Sequence, residues 1–82
     1  MQEKIKVYTT QMCHYCKDLK EFLDKNKITY TTIDVGADAT ARREMIEKSN
    51  QMGVPVITIG EEVVVGFDKT KISELLKIKE HN

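Results

Sequence analysis

The residues best suited to chemistry in this sequence are two cysteines separated by two residues, in the segment Cys13-His14-Tyr15-Cys16. The chain has two cysteines in all, too few for a scaffold held together by several disulfides. With this spacing on the first turn of a helix, the two sulfur atoms come within bonding distance. Because the pair is predicted at a strand-to-helix junction, thiol-disulfide redox chemistry is the leading hypothesis.

The two cysteines are predicted to differ in reactivity. Cys13 is expected at a helix N-terminus, where free backbone N–H groups and the positive end of the helix dipole favour a thiolate over a thiol. The pKa of Cys13 is therefore expected to lie below the value of about 8.5 for free cysteine. Cys16 falls on the same side as Leu19 and Leu23, so it is expected to be more buried and less ionised. We predict that Cys13 attacks a substrate disulfide and that Cys16 resolves the mixed disulfide.

Two other interpretations of the pair are weaker. A zinc site would need His14 and His81 beside the two cysteines, but His14 lies inside the loop that would wrap the metal. His81 stands next to the last residue, and no second cysteine pair is present. An inert buried pair is also conceivable, but it gives no reason for the position of Cys13 and Cys16 between a strand and a helix.

The neighbours of the cysteines allow more than one interpretation. A protonated His14 would favour a neighbouring thiolate, and a solvated turn residue without a role is an equal alternative. Tyr15 either stacks on a substrate or covers the first helical turn. Lys17 and Lys20 fit a solvated helix face better than a substrate contact.

Hydrophobic periodicity predicts an α/β fold with the element order β-α-β-α-β-β-α. Strands are predicted at residues 5–8, 28–34, 54–59 and 63–65, and helices at residues 13–26, 39–50 and 69–79. The first helix is a crossover connection, so the first two strands should be parallel. The last two strands should form an antiparallel hairpin. The expected architecture is a single domain, residues 1–82, with a four-stranded mixed sheet flanked by three helices.

Helix caps and inward faces follow from the same pattern. Asp38 or Thr40 is expected to cap the second helix and Asp68 the third, and Gly53 follows the end of the second helix. In the first helix the apolar residues Tyr15, Leu19, Phe22 and Leu23 fall at helical spacing, and in the second Met45 and Ile46 form an apolar stripe. In the third helix Ile72, Leu75 and Leu76 are predicted to face inward. The only proline, Pro55, lies near the start of the third strand, where proline is tolerated.

Composition excludes several classes of function. Among 82 residues, 13 basic and 13 acidic side chains give a formal net charge of zero, which argues against a nucleic-acid partner or a polybasic membrane patch. The longest apolar run, Val63-Val64-Val65, is far short of the ~20 residues of a transmembrane helix. The charged first residues are not typical of a signal peptide, so a cytoplasmic location is expected.

Three motifs together resemble the glutaredoxin family, whose members have a thioredoxin-like fold. They are Cys-x-Tyr-Cys at a helix start, Val54-Pro55 opening a later strand, and Val65-Gly66-Phe67-Asp68 before the last helix. The resemblance covers nearly the whole chain, and the motifs follow the family's order and spacing. It implies a monomeric enzyme that reduces disulfide-containing proteins and glutathione mixed disulfides. Glutathione would act as the reductant, with no bound cofactor and no metal.

The resemblance also implies individual roles. Cys13 matches the family's nucleophile and Cys16 its second cysteine. The residues that match glutathione-binding positions are Tyr15, Val54, Pro55, Gly66 and Asp68. In the family, the proline of Val-Pro is cis and the preceding backbone pairs with the cysteine of glutathione. The Gly and Asp belong to a loop that holds its γ-glutamyl end, and an Asp at a helix start is suited to that task.

The chain departs from the family at three positions. Thr10 stands where many members have a lysine that contacts a glutathione carboxylate. His14 replaces the usual proline, which is expected to alter the redox potential. Val65 replaces the first glycine of the usual Gly-Gly.

Two alternative functions stay open within the resemblance. Gly66-Phe67 also resembles redoxins that reduce ribonucleotide reductase and are recharged by thioredoxin reductase, whereas Asp68 resembles the glutathione users. That group usually has a tryptophan before the loop, and this chain has none. Some glutaredoxins hold an iron–sulfur cluster between two copies and glutathione, usually with a small residue in place of the motif's proline. His14 is not small, so this alternative ranks lower.

Overall fold

The computed structural model describes residues 4–77, and within them the elements follow the predicted order β-α-β-α-β-β-α. The elements are β1 (Ile5–Thr9), α1 (His14–Lys25), β2 (Thr31–Asp34), α2 (Ala39–Ser49), β3 (Val56–Ile59), β4 (Glu62–Val65) and α3 (Lys69–Leu76). The last helix ends earlier than the predicted residue 79, because Lys77 follows Leu76 as a left-handed C-cap with a φ of +58°. Residues 78 and 79, and His81 of the zinc alternative, lie outside the described residues. Over residues 4–77, no helix has both the length and the apolar character needed to cross a membrane.

The four strands form one mixed sheet in the order β2-β1-β3-β4. β1 and β2 are parallel, and β3 and β4 form an antiparallel hairpin, which confirms both predictions. The register aligns Tyr8 of β1 with Val56 of β3, and Val56 with Val65 of β4. Consequently the loop after β1, the loop before β3 and the loop after β4 all lie at one end of the sheet.

The strand β2 begins three residues later than predicted. Lys27 has a φ of +59°, in the left-handed region, and turns the chain at the end of α1. The backbone N–H of Ile28 then donates to the carbonyl of Leu23 at 2.9 Å, which holds Ile28 against the helix. The β-forming residues 28–30 therefore connect α1 to the sheet, and pairing with β1 starts at Thr31.

The caps of α2 are partly as predicted. Asp38 accepts a hydrogen bond from the backbone N–H of Ala41 at 3.0 Å, so Asp38 rather than Thr40 caps the N-terminus. At the other end the left-handed residue is Asn50, with a φ of +60°. Asparagine tolerates this conformation, so Asn50 caps the C-terminus of α2, and Gly53 follows it as expected.

The hairpin connection between β3 and β4 is a two-residue turn, because Ile59 pairs with Glu62. Gly60 occupies its first position with a φ of +60°, as glycine does in the turns that suit the twist of paired strands. β3 itself starts at Val56 rather than residue 54, since Pro55 has no N–H to donate to a strand ladder.

The larger hydrophobic cluster lies on the face of the sheet covered by α1 and α3. Its buried members are Ile5, Val7, Leu19, Leu23, Ile57, Ile59, Val64 and Ile72. Phe22 of α1 packs against Phe67, with ring centroids 5.7 Å apart, which ties the loop before α3 to α1. Tyr15 shares the helical spacing of Leu19, yet its side chain is 67% exposed, and the neighbouring Cys16 is buried.

The opposite face carries a smaller cluster with a polar contact at its edge. Tyr8 and Met45, both fully buried, are at the centre of this cluster. The Tyr8 hydroxyl donates to the carboxylate of Glu44 at 3.0 Å, and the Lys48 ammonium lies 3.0 Å from the same oxygen. Burial raises the pKa of Tyr8, whereas hydrogen bonds from Lys48 and Tyr8 lower the pKa of Glu44. These contacts attach α2 to β1.

Candidate active site

Cys13 and Cys16 form a disulfide at the start of α1, with their Cα atoms 5.2 Å apart. Cys13 is the N-cap residue, with an extended backbone, and its Sγ accepts a hydrogen bond from the backbone N–H of Cys16 at 3.1 Å. The structure thus brings the two predicted sulfurs together at a helix terminus. In the reduced protein, the same N–H and the helix dipole would act on the sulfur of Cys13.

The two sulfurs lie in different environments. Cys13 is half-buried, whereas Cys16 is 1% exposed and lies on the inward side of α1 with Leu19 and Leu23. This confirms the prediction that Cys16 is the more buried of the pair. A molecule approaching from solvent therefore meets Cys13 first.

A groove of about 380 Å³ opens beside Cys13, and we call it the cysteine groove. Its lining residues are Thr10, Gln11, Met12, Cys13, His14, Lys17 and Lys20. Met12 is 89% exposed, the most exposed large hydrophobic side chain among the described residues. Sequence reasoning missed Gln11 and Met12 and ranked Lys17 and Lys20 as solvated surface. The sequence did contain a signal for the two lysines: Lys17 and Lys20 follow Cys13 by four and seven residues, a spacing that places them on one face of a helix with Cys13.

The loop before β3 contacts the loop after β4. The Val54–Pro55 peptide bond is cis, as the resemblance implied, and Pro55 is buried. The backbone N–H of Gly66 donates to the carbonyl of Pro55 at 2.8 Å. Gly66 has a φ of +77°, and a Cβ added there would meet no atom within 4 Å. Backbone conformation rather than lack of space therefore favours glycine at this position.

Asp68 begins α3 as its N-cap and accepts a hydrogen bond from the backbone N–H of Lys71 at 3.1 Å. Its carboxylate is exposed beside the helix N-terminus, which is the placement predicted for it. Lys69 lies over the ring of Phe22 at 5.6 Å, a second contact between this end of α3 and α1. The loop that contains Gly66 and Asp68 is therefore anchored to the helix that carries the cysteines.

The predicted site residues divide into two groups. Cys13 and His14 line the cysteine groove. The residues matched to glutathione binding all fall within residues 4–77, and none of them lines the groove: Tyr15, Val54, Pro55, Gly66 and Asp68. Val54 and Gly66 lie in the loops at the same end of the sheet as Cys13. These five residues therefore lie outside the cysteine groove, whereas Thr10, at the position of the family's carboxylate-binding lysine, lines it.

No metal-binding cluster is evident in the part of the chain that the structure describes, where no three or more His, Cys, Asp or Glu side chains are suitably grouped. The zinc alternative included His81, which is beyond residue 77. What the described geometry offers is a disulfide with one accessible sulfur, at a helix terminus, beside a groove.

The chain matches the family model for glutaredoxin over residues 5–64. This range includes Cys13, Cys16 and Pro55, and it ends before Gly66 and Asp68. The match spans well over half of the 82 residues.

Individual proteins support the match. A glutaredoxin-like 8.6 kDa protein in the rubredoxin operon of Clostridium pasteurianum is 41% identical over 73 residues, 89% of this chain and 97% of that protein. Glutaredoxin 3 of Escherichia coli is 30% identical over 64 residues, 78% of this chain and 77% of that protein. The crystal structure of the thioredoxin-like protein BC3987 superposes with a TM-score of 0.84 at 40% identity, covering 89% of this chain and 100% of that one.

Proposed function

Given that this chain belongs to the glutaredoxin family and is a thiol-disulfide oxidoreductase with a Cys-x-x-Cys site, we propose that its reductant is glutathione. Its substrates are then protein disulfides and glutathione mixed disulfides. One observation supports this most: Cys13 is half-buried at the N-cap of α1, and Cys16, its disulfide partner, is buried behind it. An accessible sulfur at a helix terminus is suited to nucleophilic attack.

In the first step the Cys13 thiolate attacks the glutathione sulfur of a mixed disulfide. The new bond joins Cys13 to glutathione, the substrate's S–S bond breaks, and the substrate leaves as a thiolate that takes up a proton. The backbone N–H of Cys16, which donates to Cys13 Sγ at 3.1 Å, supports the thiolate before attack. The helix dipole acts in the same direction.

In the second step a free glutathione thiolate attacks the glutathione sulfur bound to Cys13. Glutathione disulfide forms and Cys13 leaves as a thiolate, so the net exchange consumes one free glutathione, and the other half of the glutathione disulfide comes from the substrate. When the substrate is a protein disulfide, Cys16 attacks Cys13 instead and releases the reduced substrate. The disulfide between Cys13 and Cys16 is the product of that branch.

The glutathione contacts that we propose lie in the loops around the end of the sheet. The backbone of Val54 would pair with the cysteine of glutathione, and Gly66 with Asp68 would hold the γ-glutamyl end. The hydrogen bond from Gly66 to Pro55 and the anchoring of Phe67 on Phe22 support this assignment, because they fix the two loops relative to one another and to α1. Tyr15, exposed on the first turn of α1, is available to cover the bound tripeptide.

A second candidate is a redoxin that thioredoxin reductase recharges and that supplies electrons to ribonucleotide reductase. Gly66-Phe67 and the replacement of a glycine by Val65 favour it, as does the similarity to a protein described as thioredoxin-like. The two candidates differ in the source of electrons. For either one we propose a monomer without a bound cofactor that acts in the cytoplasm, in electron transport and cell redox homeostasis, because free thiols persist there.

The test is a turnover assay with a small glutathione mixed disulfide and NADPH. One arm contains glutathione with glutathione reductase, and the other contains thioredoxin reductase without glutathione. We expect NADPH consumption that depends on this protein in the first arm. Consumption in the second arm alone would overturn the glutathione proposal and favour the redoxin.

A further inference from the structure

The part of the cysteine groove that carries Met12, Lys17 and Lys20 is a surface that the proposed glutathione contacts leave unused; Thr10, at the position of the family's carboxylate-binding lysine, lines the same groove. It lies on the side of Cys13 formed by Thr10 to His14 and by the face of α1 that carries Lys17 and Lys20. The residues that we assign to glutathione come from the loops before β3 and after β4, apart from Tyr15, and none of these described residues lines the groove. A docked protein segment can therefore contact Met12, Lys17 and Lys20 beside the residues that we assign to glutathione.

The cysteine groove presents positively charged side chains without a negative one. Its lining contains two lysines and no carboxylate. Across residues 4–77, neither Lys17 nor Lys20 takes part in an ion pair, whereas Lys6 and Lys48 both pair with Glu44. Lys17 and Lys20 are thus available to an anionic group that approaches Cys13.

The groove also has an apolar wall. Met12, directly before Cys13, is 89% exposed, and a thioether side chain adapts to irregular apolar partners. A small polar tripeptide gains little from such a contact. A protein segment that carries both an apolar and an acidic side chain beside its cysteine matches Met12 and the two lysines together.

We propose that the cysteine groove docks protein disulfide substrates that carry a carboxylate side chain next to the reactive cysteine. This inference rests on the proposed function, because it names the protein substrates of the same Cys13 site. The carboxylate lies against Lys17 and Lys20, and an apolar neighbour lies against Met12.

The reaction in this complex is a complete two-electron exchange. The Cys13 thiolate attacks one sulfur of the docked disulfide, forms a mixed disulfide and releases the other sulfur as a thiolate. Cys16, as the thiolate after loss of its proton, then attacks Cys13 Sγ and releases the first sulfur. The substrate ends as a dithiol, and the protein ends with the Cys13–Cys16 disulfide seen in the structure.

The experiment is a single-turnover reaction of the pre-reduced protein, without glutathione, with synthetic peptides closed by one disulfide. Three peptides are identical except that the residues flanking both cysteines are glutamate, glutamine or lysine. Peptide reduction is followed by chromatography at low salt. We expect the second-order rate constant to fall in the order glutamate, glutamine, lysine, and the differences to shrink at high salt because exposed charges are screened.

Variants then assign the preference to the groove. Lys17→Gln and Lys20→Gln should each reduce the advantage of the glutamate peptide over the glutamine peptide by about two- to fivefold, as expected for exposed charge pairs. Lys25→Gln, an exposed lysine in the last turn of the same helix, is the matched control and should leave the advantage unchanged. Two further glutamate peptides carry either a leucine or a serine beside the glutamate. Met12→Gln should slow reduction of the leucine peptide more than reduction of the serine peptide.

Two results would overturn the proposal. One is a wild-type protein that reduces the three peptides at the same rate. The other is a lysine variant that slows all three equally, since the lysines would then act on Cys13 itself and not on the substrate. Because no glutathione is present, these outcomes are separate from failure of the glutathione assay. Failure of the proposed function would instead appear in the turnover assay, as NADPH consumption with thioredoxin reductase alone.

Discussion

Cys13 and Cys16 belong to one disulfide but to two regions of the molecule. Cys13 caps α1 at the surface and lines the cysteine groove with Met12 and Lys17. Cys16 is three residues later, on the side of α1 that faces the sheet, and is 1% exposed. A spacing of three residues keeps the two sulfurs on one helical turn while the helix itself separates their surroundings.

The difference shows how a short motif assigns two roles without any change of residue type. The surface region supplies solvent access and free backbone N–H groups to Cys13, and two lysines that we assign to the substrate. The buried region holds Cys16 within reach of Cys13 but away from external disulfides. Changes in the first region should alter chemistry and binding, whereas changes in the second should alter stability.

The largest expected effect is that of Cys13→Ser, which should abolish turnover of a glutathione mixed disulfide. Serine is nearly isosteric with cysteine, and its hydroxyl is a far weaker nucleophile near neutral pH. The assay is NADPH consumption with glutathione and glutathione reductase. An unchanged unfolding curve by circular dichroism serves as the control for packing, and turnover close to wild type would contradict the assignment of Cys13.

The next effect concerns stability in the buried region. Leu19 is fully buried between α1 and the sheet, so Leu19→Ala should lower the free energy of unfolding by about 2–5 kcal/mol. Lys17→Gln, on the groove side of the same helix, should change it by less than about 0.5 kcal/mol. Urea unfolding of the reduced proteins measures both. Similar losses for the two variants would mean that the two regions do not differ as described.

The two thiols should also differ in their rate of alkylation. We expect Cys13 to react faster with iodoacetamide at neutral pH, because each pKa unit below the value of a normal thiol gives up to about tenfold more thiolate. Mass spectrometry after a short pulse on the reduced protein identifies the labelled residue. Predominant labelling of Cys16 would reverse the assignment of the roles.

A smaller effect is expected for Thr10→Lys, which restores a lysine that many family members have. If glutathione is the reductant, the apparent Michaelis constant for glutathione should fall by a few-fold at most, since an exposed charge pair contributes roughly 0.2–1 kcal/mol. Thr29→Lys adds the same charge before β2, at the opposite end of the sheet, and should have no effect. If the apparent Michaelis constant for glutathione stays the same or rises in the Thr10→Lys variant, position 10 does not belong to the glutathione site.

Sequence patterns predicted the features that depend on local interactions. The order of elements follows from hydrophobic periodicity, and Asp38 and Asp68 cap α2 and α3 through hydrogen bonds to residues three positions away. The unequal burial of Cys13 and Cys16 follows from helical register alone. The helix and strand types were predictable because each segment has one dominant period.

The features that the sequence did not predict depend on tertiary packing. Tyr15 has an apolar ring at helical spacing from Leu19, yet it lies about 100° around the helix from Cys16 and stays in solvent. The start of β2 depends on the hydrogen bond of Ile28 to the end of α1. The cysteine groove forms only when the loop after β1 folds beside α1, so nothing in the sequence alone indicated that Met12 lines a groove.

The most direct test of the glutathione mechanism is turnover of Cys16→Ser with a small glutathione mixed disulfide, glutathione and glutathione reductase. Only one protein thiol is needed when glutathione releases Cys13, so this variant should retain wild-type turnover or exceed it, because no internal disulfide competes. A circular dichroism spectrum like that of the wild type at the assay temperature serves as the control for folding with the buried serine. An inactive, well-folded Cys16→Ser would contradict the single-thiol mechanism and make the redoxin recharged by thioredoxin reductase the better account.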